Sequence, residues 1–563
     1  MKLKEVMKHL SNAGWVAASI RPFLKAVVII IIVESLTSLG SVLMAIVSKN
    51  VIDFAVKNEL NRAGLYIALF AGIILFNLAA RAFLSIYSAK THESYSNTLR
   101  QRIFGRLVNI EWMQVSKYHS GDLLTRLTSD IGAVASGSIN ILAQVTALGV
   151  QLVAAFVILL AFEPSLALMA FFLAPFTVLI SRFYAKKMSN MHIRMQESES
   201  LYRSQIQEYL QNLLVLKTYN LEEQSKDRIG ELQKERLDWV IKRSKTGATA
   251  NSILSLGYWL GYILAFCWGA VKLANETATF GTFTQLLQLV NQIQGPFIAL
   301  SRTVPLVISG LASAGRLIEL EKLDAETPEA KIGIPASAGI CFNEVSFKYE
   351  KDEQVLDTVT MEAQPGEIIA IIGTSGEGKT TMIRLMLALL KPDAGMIACF
   401  DGSGNEYEIS CATRNWFSYV PQGNTLFSGT IADNLRSGEQ EADEDEMKAA
   451  LNAVCALDFV EKLPVGINTV IGEKAYGLSE GQAQRIAIAR ALLRKAPIIV
   501  LDEATSALDI ELEEKVLHNI RNMKPVRTCI MITHRRTALN ECNKVYKLKD
   551  GILILEDHNL NCA

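Results

Sequence analysis

The sequence predicts a two-part membrane protein: an all-α region of six spanning helices with long polar helical extensions, then an α/β domain with a helical subdomain. Three observations predict it. Apolar runs long enough to cross a bilayer recur between residues 22 and about 315, whereas residues 338–563 read like an ordinary water-soluble fold. A glycine-rich stretch, Gly373–Thr381, sits between a short apolar run (Ile368–Ile372) and a helical pattern (Met382–Leu390). That is the strand–loop–helix setting of a phosphate-binding loop. A second apolar run, Ile498–Leu501, ends in the acidic pair Asp502-Glu503. The expected division is 1–320 for the membrane region, 321–337 for a linker and 338–563 for the α/β domain.

Composition narrows the function classes. Of 563 residues half are hydrophobic and a fifth are charged, and the net charge is −1. With no basic tail or charge block, a nucleic-acid partner is not expected. Seven of the eight cysteines (Cys341, Cys399, Cys411, Cys455, Cys529, Cys542, Cys562) lie in the α/β half, and Cys267 lies in a span. There is no CxxC pair and no histidine at metal-ligand spacing, so free thiols in a reducing compartment are expected rather than disulfides or zinc. Lys2, Lys4 and Lys8 resemble the start of a secretory signal, but the apolar run from Leu24 to Val47 is too long for one. It reads as a retained helix, preceded by an amphipathic stretch (Leu3–Ile20) lying along the membrane surface.

A hydrocarbon core of ~30 Å needs ~20 apolar residues in a helix. Six segments meet that length: 24–48, 63–87, 136–162, 165–186, 248–272 and 279–312. Glu163-Pro164 makes the third and fourth a tight hairpin. The connections at 88–135 and 187–247 are long, helical by pattern and rich in lysine and arginine; the opposite side has little beyond Lys49, Lys57 and Arg62. By the positive-inside rule the N-terminus, both long connections and the α/β domain are cytoplasmic.

Polar residues inside spans are expensive and point to a path or to helix–helix contacts. Glu34, Thr37, Ser38 and Ser41 share a face of the first segment; Asn77 and Arg81 lie four apart in the second; Gln144 and Gln151 lie seven apart in the third. The sixth carries Gln285, Gln288 and Gln292 on one stripe, followed by Pro296 and Pro305, which are expected to kink it. Singly, each is better read as an interhelical hydrogen bond, with Glu34 paired to Arg81. As a set, Glu34, Asn77, Arg81, Gln144, Gln285, Gln288 and Gln292 suggest a hydrated cavity for a polar or amphipathic cargo.

The α/β half supplies the chemistry. In Gly373-Thr374-Ser375-Gly376-Glu377-Gly378-Lys379-Thr380-Thr381, glycines let backbone N–H groups close around phosphate oxygens at a helix N-terminus. Lys379 supplies charge for the β- and γ-phosphates and the Thr380 hydroxyl is placed for Mg²⁺. Asp502, ending a buried strand, suits the same Mg²⁺, and Glu503 can polarise a water attacking the γ-phosphate. An ordinary glycine turn and a solvated strand end are the competing readings, and they fail because both motifs occur with the right flanks.

At this point residues 338–563 resemble the nucleotide-binding domain of ATP-binding cassette (ABC) transporters. Leu478-Ser479-Glu480-Gly481-Gln482, before a helical run at Gln484–Leu493, is similar to that family's signature loop. The resemblance implies that Ser479, Gly481 and Gln482 contact ATP bound to a second subunit, so that two cassettes sandwich two nucleotides. It further implies that Tyr349 stacks on adenine, that Gln422 in Tyr419-Val-Pro-Gln422 senses magnesium, that Ser506-Ala-Leu-Asp509 bridges the two sites, and that His534 contacts the γ-phosphate. Singly, Tyr349 reads equally well as a strand-face aromatic and His534 as a surface or capping residue. Glu480, where glycine is commonest, and Ala483, where arginine is usual, depart from the pattern.

The membrane half resembles the exporter branch (the type IV fold), with Gly121–Asp130 similar to a first coupling segment and Glu208–Lys217 to a second. The resemblance implies an ATPase-driven translocase in a bacterial cytoplasmic membrane, working by alternating access as a dimer of half-transporters. A homodimer is favoured and a heterodimer is the alternative. Its partners are the bilayer, the second half and the cargo; ATP and Mg²⁺ are its cofactors. A peptide-like cargo is favoured; a lipid or lipid-linked glycan flippase, a multidrug exporter and an exporter-fold importer of a siderophore-like molecule share the motifs. Six spans exclude a soluble ABC factor, and an intact catalytic set disfavours an ATP-gated channel.

Overall fold

The computed structural model describes residues 3–326, 332–349, 354–423, 425–472 and 477–556. The chain forms two compact units: Met1–Val108 with His119–Lys322, and Asn109–Tyr118 with Leu323–Ala563. The linker expectation at 321–337 falls partly outside the described residues.

The first unit is entirely helical. Its elements are α1 (Leu3–Ser19), α2 (Leu24–Val56), α3 (Leu60–Val108), a continuous helical stretch α4 (Ser120–Phe162), α5 (Pro164–Gln211), α6 (Glu222–Ala274) and α7 (Phe280–Glu321). The six predicted segments fall in α2 to α7, and every helix outruns its apolar run, because charged and polar residues continue the helical pattern beyond it. Among the described residues α3, α4, α6 and the Arg21–Val56 stretch are long and apolar enough to cross a membrane. Pro164 starts α5 at its first turn, where a missing N–H costs nothing. α7 stays helical across Pro296 and Pro305. α4 contains two π-helical turns, Arg126–Asp130 and Gly137–Ile141.

α1 docks on α7: Asn12, 5 % exposed, donates from Nδ2 to the Leu311 carbonyl at 2.8 Å. Trp15 donates to Glu321 at 2.8 Å. Small residues let helices approach; a Cβ on Gly315 would lie 2.8 Å from Asn12. The apolar packing of the bundle centres on Val42, Ala45, Leu159, Leu286, Leu289 and Ile293.

The second unit is α/β. A six-stranded sheet has the order β12-β11-β3-β10-β9-β6, with β3 (Ile368–Ile372), β6 (Phe417–Val420), β9 (Ile498–Asp502), β10 (Thr528–Ile532) and β11 (Lys544–Lys549) parallel. β12 (Ile552–Glu556) closes one edge antiparallel, and two short strands, β7 (Gly429–Thr430) and β8 (Val470–Ile471), pair antiparallel on their own. β3, β9 and β10 are near-continuous apolar runs, as strands covered on both faces must be. A four-stranded antiparallel sheet, β2-β1-β4-β5, packs beside it: β1 (Ala338–Lys348), β2 (Gln354–Ala363), β4 (Ala394–Asp401) and β5 (Glu406–Glu408). The first core joins both sheets around helix α8 (Lys379–Met386) through Phe342, Ile371, Met382, Met386 and Trp416. The second core buries a helical subdomain against β9 and includes Leu435, Met447, Leu451 and Val460. That subdomain contains helix α9 (Glu480–Leu493), and α10 (Ile510–Arg521) follows β9.

The segment 109–118, taken from the first long connection, is built into this second unit. Glu111 N–H bonds to the Asp324 carbonyl at 3.1 Å, Glu326 N–H to Asn109 at 2.8 Å, and Lys391 pairs with Glu111 at 2.9 Å. Met113 packs on the two-sheet core. Gly121–Asp130 lies in the helical unit, where Arg126 and Asp130 turn inward toward α7.

Candidate functional site

The phosphate-binding loop is set by β3, which is buried until its last residue, and by the start of α8. Gly378 carries φ +105° at the helix entrance, and a Cβ there would come within 2.9 Å of Val355, so only glycine suits the position. Lys379 is 8 % exposed, and its ammonium donates to the carbonyls of Gly373 (2.6 Å) and Thr374 (2.8 Å). Glu377 accepts from the Thr374 hydroxyl (2.6 Å) and the Thr374 N–H (2.8 Å), which hold its carboxyl below the usual carboxylate range. Thr380, second residue of α8, is exposed beside them.

Strand β9 delivers the acidic pair. Asp502 is 5 % exposed; burial raises its carboxyl pKa, and a hydrogen bond from the Tyr419 hydroxyl (3.2 Å) opposes that rise. Tyr419 is itself pushed up, first by burial and then by the Asp502 charge. Glu503 has φ +49°, a backbone conformation uncommon away from glycine, and its N–H bonds to the Ile532 carbonyl at 3.1 Å. The Glu503 carboxylate lies between Gln422, whose Nε2 donates to it at 2.6 Å, and His534, whose Nε2 is 3.6 Å away. Gln422, Glu503 and His534 therefore converge, which residues 81 and 31 apart could do only through the parallel β6–β9–β10 order.

The oxygen-rich set of Thr380, Asp502 and Gln422 is the donor chemistry that magnesium takes. With the Gln422 amide nitrogen spent on Glu503, its amide oxygen is the atom left for a cation. Tyr349 packs edge-on against Phe347, and its hydroxyl bonds to Thr381 (3.1 Å) and accepts from Arg384 (3.0 Å). Its ring is thus braced and 37 % exposed, as a stacking platform needs.

The signature residues stand apart from this cluster. Ser479 caps α9 in a reciprocal box with Gln482, at 3.3 and 2.9 Å, and Ser479 is exposed. Among the described residues no hydrogen bond or ion pair joins Ser479, Gly481 or Gln482 to Gly373–Thr381. Asp509 caps α10 through Leu512 N–H at 2.9 Å. Sequence reasoning missed Tyr419, Gln484, Glu513 and Arg535. Glu513 had a signal: it shares a helical face with Val516, Leu517 and Ile520, all buried.

The polar set of the helical unit does not gather into one site. Gln292 donates to the Ser41 carbonyl (2.8 Å) and Ser48 donates to Gln288 (3.3 Å), so both glutamines join α7 to α2. Asn77 packs against Gly40, where a Cβ would be 2.9 Å from its oxygen. Gln285 is 1 % exposed, and neither amide atom has a partner among the described residues. Gln144 and Arg81 are exposed, and among the described residues no ion pair joins Arg81 to Glu34. An apolar groove of about 650 Å³ runs between α2 and α3, lined by Leu36, Leu43, Leu65, Leu69, Ile73 and Phe76.

A phosphate-binding loop, a buried aspartate and a glutamate held by glutamine and histidine define a P-loop ATPase, here fused to a helical membrane region. The family model described as ABC transporter transmembrane region matches residues 27–297, and that described as ABC transporter matches 356–506. The chain belongs to the ABC transporters: it is a multi-pass half-transporter with an ATPase coupled to transport, and its fold implies a second half. It is 28 % identical over 543 residues to the ATP-dependent lipid A-core flippase of Chromohalobacter salexigens, covering 95 % of this chain and 93 % of that one. It is 29 % identical over 456 residues to the protein of the same description from Dechloromonas aromatica, covering 80 % and 78 %. Its fold is that of a bacterial Atm1-family ABC exporter solved with ATP bound (TM-score 0.81, 23 % identity, 95 % of each chain).

Proposed function

We propose that two copies of this chain use ATP to move an amphipathic lipid with a polar headgroup across a bacterial inner membrane, from the cytoplasmic leaflet outward. The observation that carries this reading is similarity, over up to 95 % of the chain, to proteins described as ATP-dependent lipid A-core flippases. The helical unit supports it. Gln288 and Gln292 are engaged between helices, which removes much of the polar lining that favoured a peptide-like cargo, while the α2–α3 groove offers apolar surface suited to acyl chains. The buried amide of Gln285, without a partner among the described residues, is what still favours a polar or peptide cargo.

In this reading the N-terminus, the long connections and the domain at 338–563 are cytoplasmic. Backbone N–H groups of 373–379 and the Lys379 ammonium hold the β- and γ-phosphates, Tyr349 stacks on adenine, and Thr380, Asp502 and Gln422 hold Mg²⁺. When bound, the metal would supply positive charge against the phosphate oxygens. Glu503 polarises the attacking water, and Gln422 and His534 fix where its carboxylate points. Ser479, exposed on its own subunit, and the half-buried Gly481 and Gln482 reach the second subunit's nucleotide, and Asp509 lies in the loop between the two sites. Closure around two ATP molecules turns the membrane helices outward, and hydrolysis resets them. A homodimer is the favoured arrangement, supported by the presence of Gln422, Glu503 and His534 in one chain; Glu480 is the residue that bears on a heterodimer.

The test is ATPase stimulation by purified protein in proteoliposomes offered lipids, peptides and drugs. Stimulation by a glycolipid or anionic phospholipid is expected. Stimulation by peptides alone, with their accumulation in vesicles, would overturn the lipid reading.

A further inference from the structure

We propose that Glu513 is a positioning residue for hydrolysis: it ties the loop after Glu503 to the loop after His534 and so sets how those two side chains face each other. The proposal rests on the roles given above to Glu503 and His534.

Glu513 is 0 % exposed on the inner face of α10, where a carboxylate persists only if its oxygens are satisfied. They are. One oxygen accepts from the Thr505 hydroxyl at 2.6 Å; the other accepts from the Thr537 hydroxyl at 2.9 Å and lies 3.4 Å from the Arg535 guanidinium. Thr505 is two residues beyond Glu503, and Arg535 directly follows His534. Arg535 also donates to the carbonyls of Ser506 (2.5 Å) and Leu508 (2.6 Å). One buried carboxylate thus holds both loops, and a guanidinium stitches them together.

The same loop is gripped from the other side. Gln484 of α9, 3 % exposed, accepts from Ala507 N–H at 3.0 Å and donates to the Ser506 hydroxyl at 3.2 Å. Glu503 itself sits at φ +49°, a strained conformation that persists only when its surroundings over-determine it. Its carboxylate faces His534 across 3.6 Å. Fixing the residues just beyond each of them is how that spacing is kept.

A purely structural carboxylate would move stability and leave the chemistry alone, so the experiment separates the two. In the full-length protein in lipid nanodiscs, Glu513→Gln keeps the shape and loses the charge, and Arg535→Lys keeps charge and loses the fork. For each variant kcat, KM for ATP, binding of a fluorescent ATP analogue and the unfolding midpoint are measured. The expected result is a kcat at least ~10-fold lower with KM and nucleotide binding within about twofold, because small misplacements at a reacting centre are costly. Combining Glu513→Gln with Glu503→Gln should be no slower than Glu503→Gln alone. A kcat within twofold of the wild type in both variants would overturn the proposal. So would a kcat loss matched by equal losses of nucleotide binding and unfolding midpoint. Should Glu513→Gln fail to fold, Arg535→Lys, whose side chain is 34 % exposed, carries the test. Wild-type hydrolysis by Glu503→Gln would defeat the base assignment itself, a separate and recognisable failure.

Discussion

Glu503 shows how much of this protein's chemistry is set by a single backbone geometry. Its left-handed conformation aims the carboxylate between Gln422 and His534, at 2.6 and 3.6 Å. A general base contributes ~10²–10⁴-fold, so Glu503→Gln should lower turnover by at least ~100-fold while ATP binding persists. Steady-state hydrolysis and equilibrium nucleotide binding on the same preparation check this; hydrolysis near wild type would refute the role. A second residue-scale prediction concerns the thiols. Burial pushes Cys542 up to about 12 and raises Cys399 and Cys529 further, so at pH 8 all three are protonated and shielded. They should resist alkylation in the folded protein and react once it is unfolded, as mass spectrometry of maleimide-treated samples would show.

Among the elements, the pairing of α4 with α7 is a buried ionic joint. Asp130, 3 % exposed, accepts from Arg316 at 2.7 and 2.5 Å and from Ser313 at 2.8 Å, while Arg126 reaches the Arg316 carbonyl at 2.9 Å. Removing one partner leaves the other charge buried, so Arg316→Ala should cost about 1–3 kcal/mol, less than a fully buried pair because the Arg316 side chain is half exposed. A lowered unfolding midpoint in detergent would register it, and an unchanged midpoint would show that the joint contributes little. Gln285 on α7 gives the opposite expectation. Since neither amide atom has a partner among the described residues, Gln285→Leu should be neutral or stabilising by up to ~1 kcal/mol. Lost transport with unchanged or raised stability would instead place Gln285 in the cargo path.

At the scale of the whole molecule, the legible parts are the helical membrane region and the ATPase domain that follows it, and each for a physical reason. A bilayer demands apolar runs, and phosphate binding demands glycines, a lysine and a hydroxyl at fixed spacing, so both leave local marks. The supporting contacts leave almost none. Tyr419, Arg535 and Gln484 act through neighbours that the β6–β9–β10 order brings together, and spacing along the chain carries no trace of that order. Positions in the spans are ambiguous for a related reason: Gln288 and Gln292 have the polarity of a cavity and the contacts of a helix joint. Segment 109–118 looked like part of a helical connection, but it belongs to the ATPase unit through backbone bonds that any sequence can make.

Whether this ATPase moves lipid can be measured directly. Purified protein is reconstituted with its ATPase units outward into vesicles holding a headgroup-labelled fluorescent glycolipid, and outer-leaflet label is quenched before and after ATP. ATP should increase the protected fraction with wild-type protein and leave it unchanged with Glu503→Gln. Robust ATP hydrolysis with no change in protected lipid, while a labelled peptide accumulates inside the same vesicles, would contradict the lipid reading.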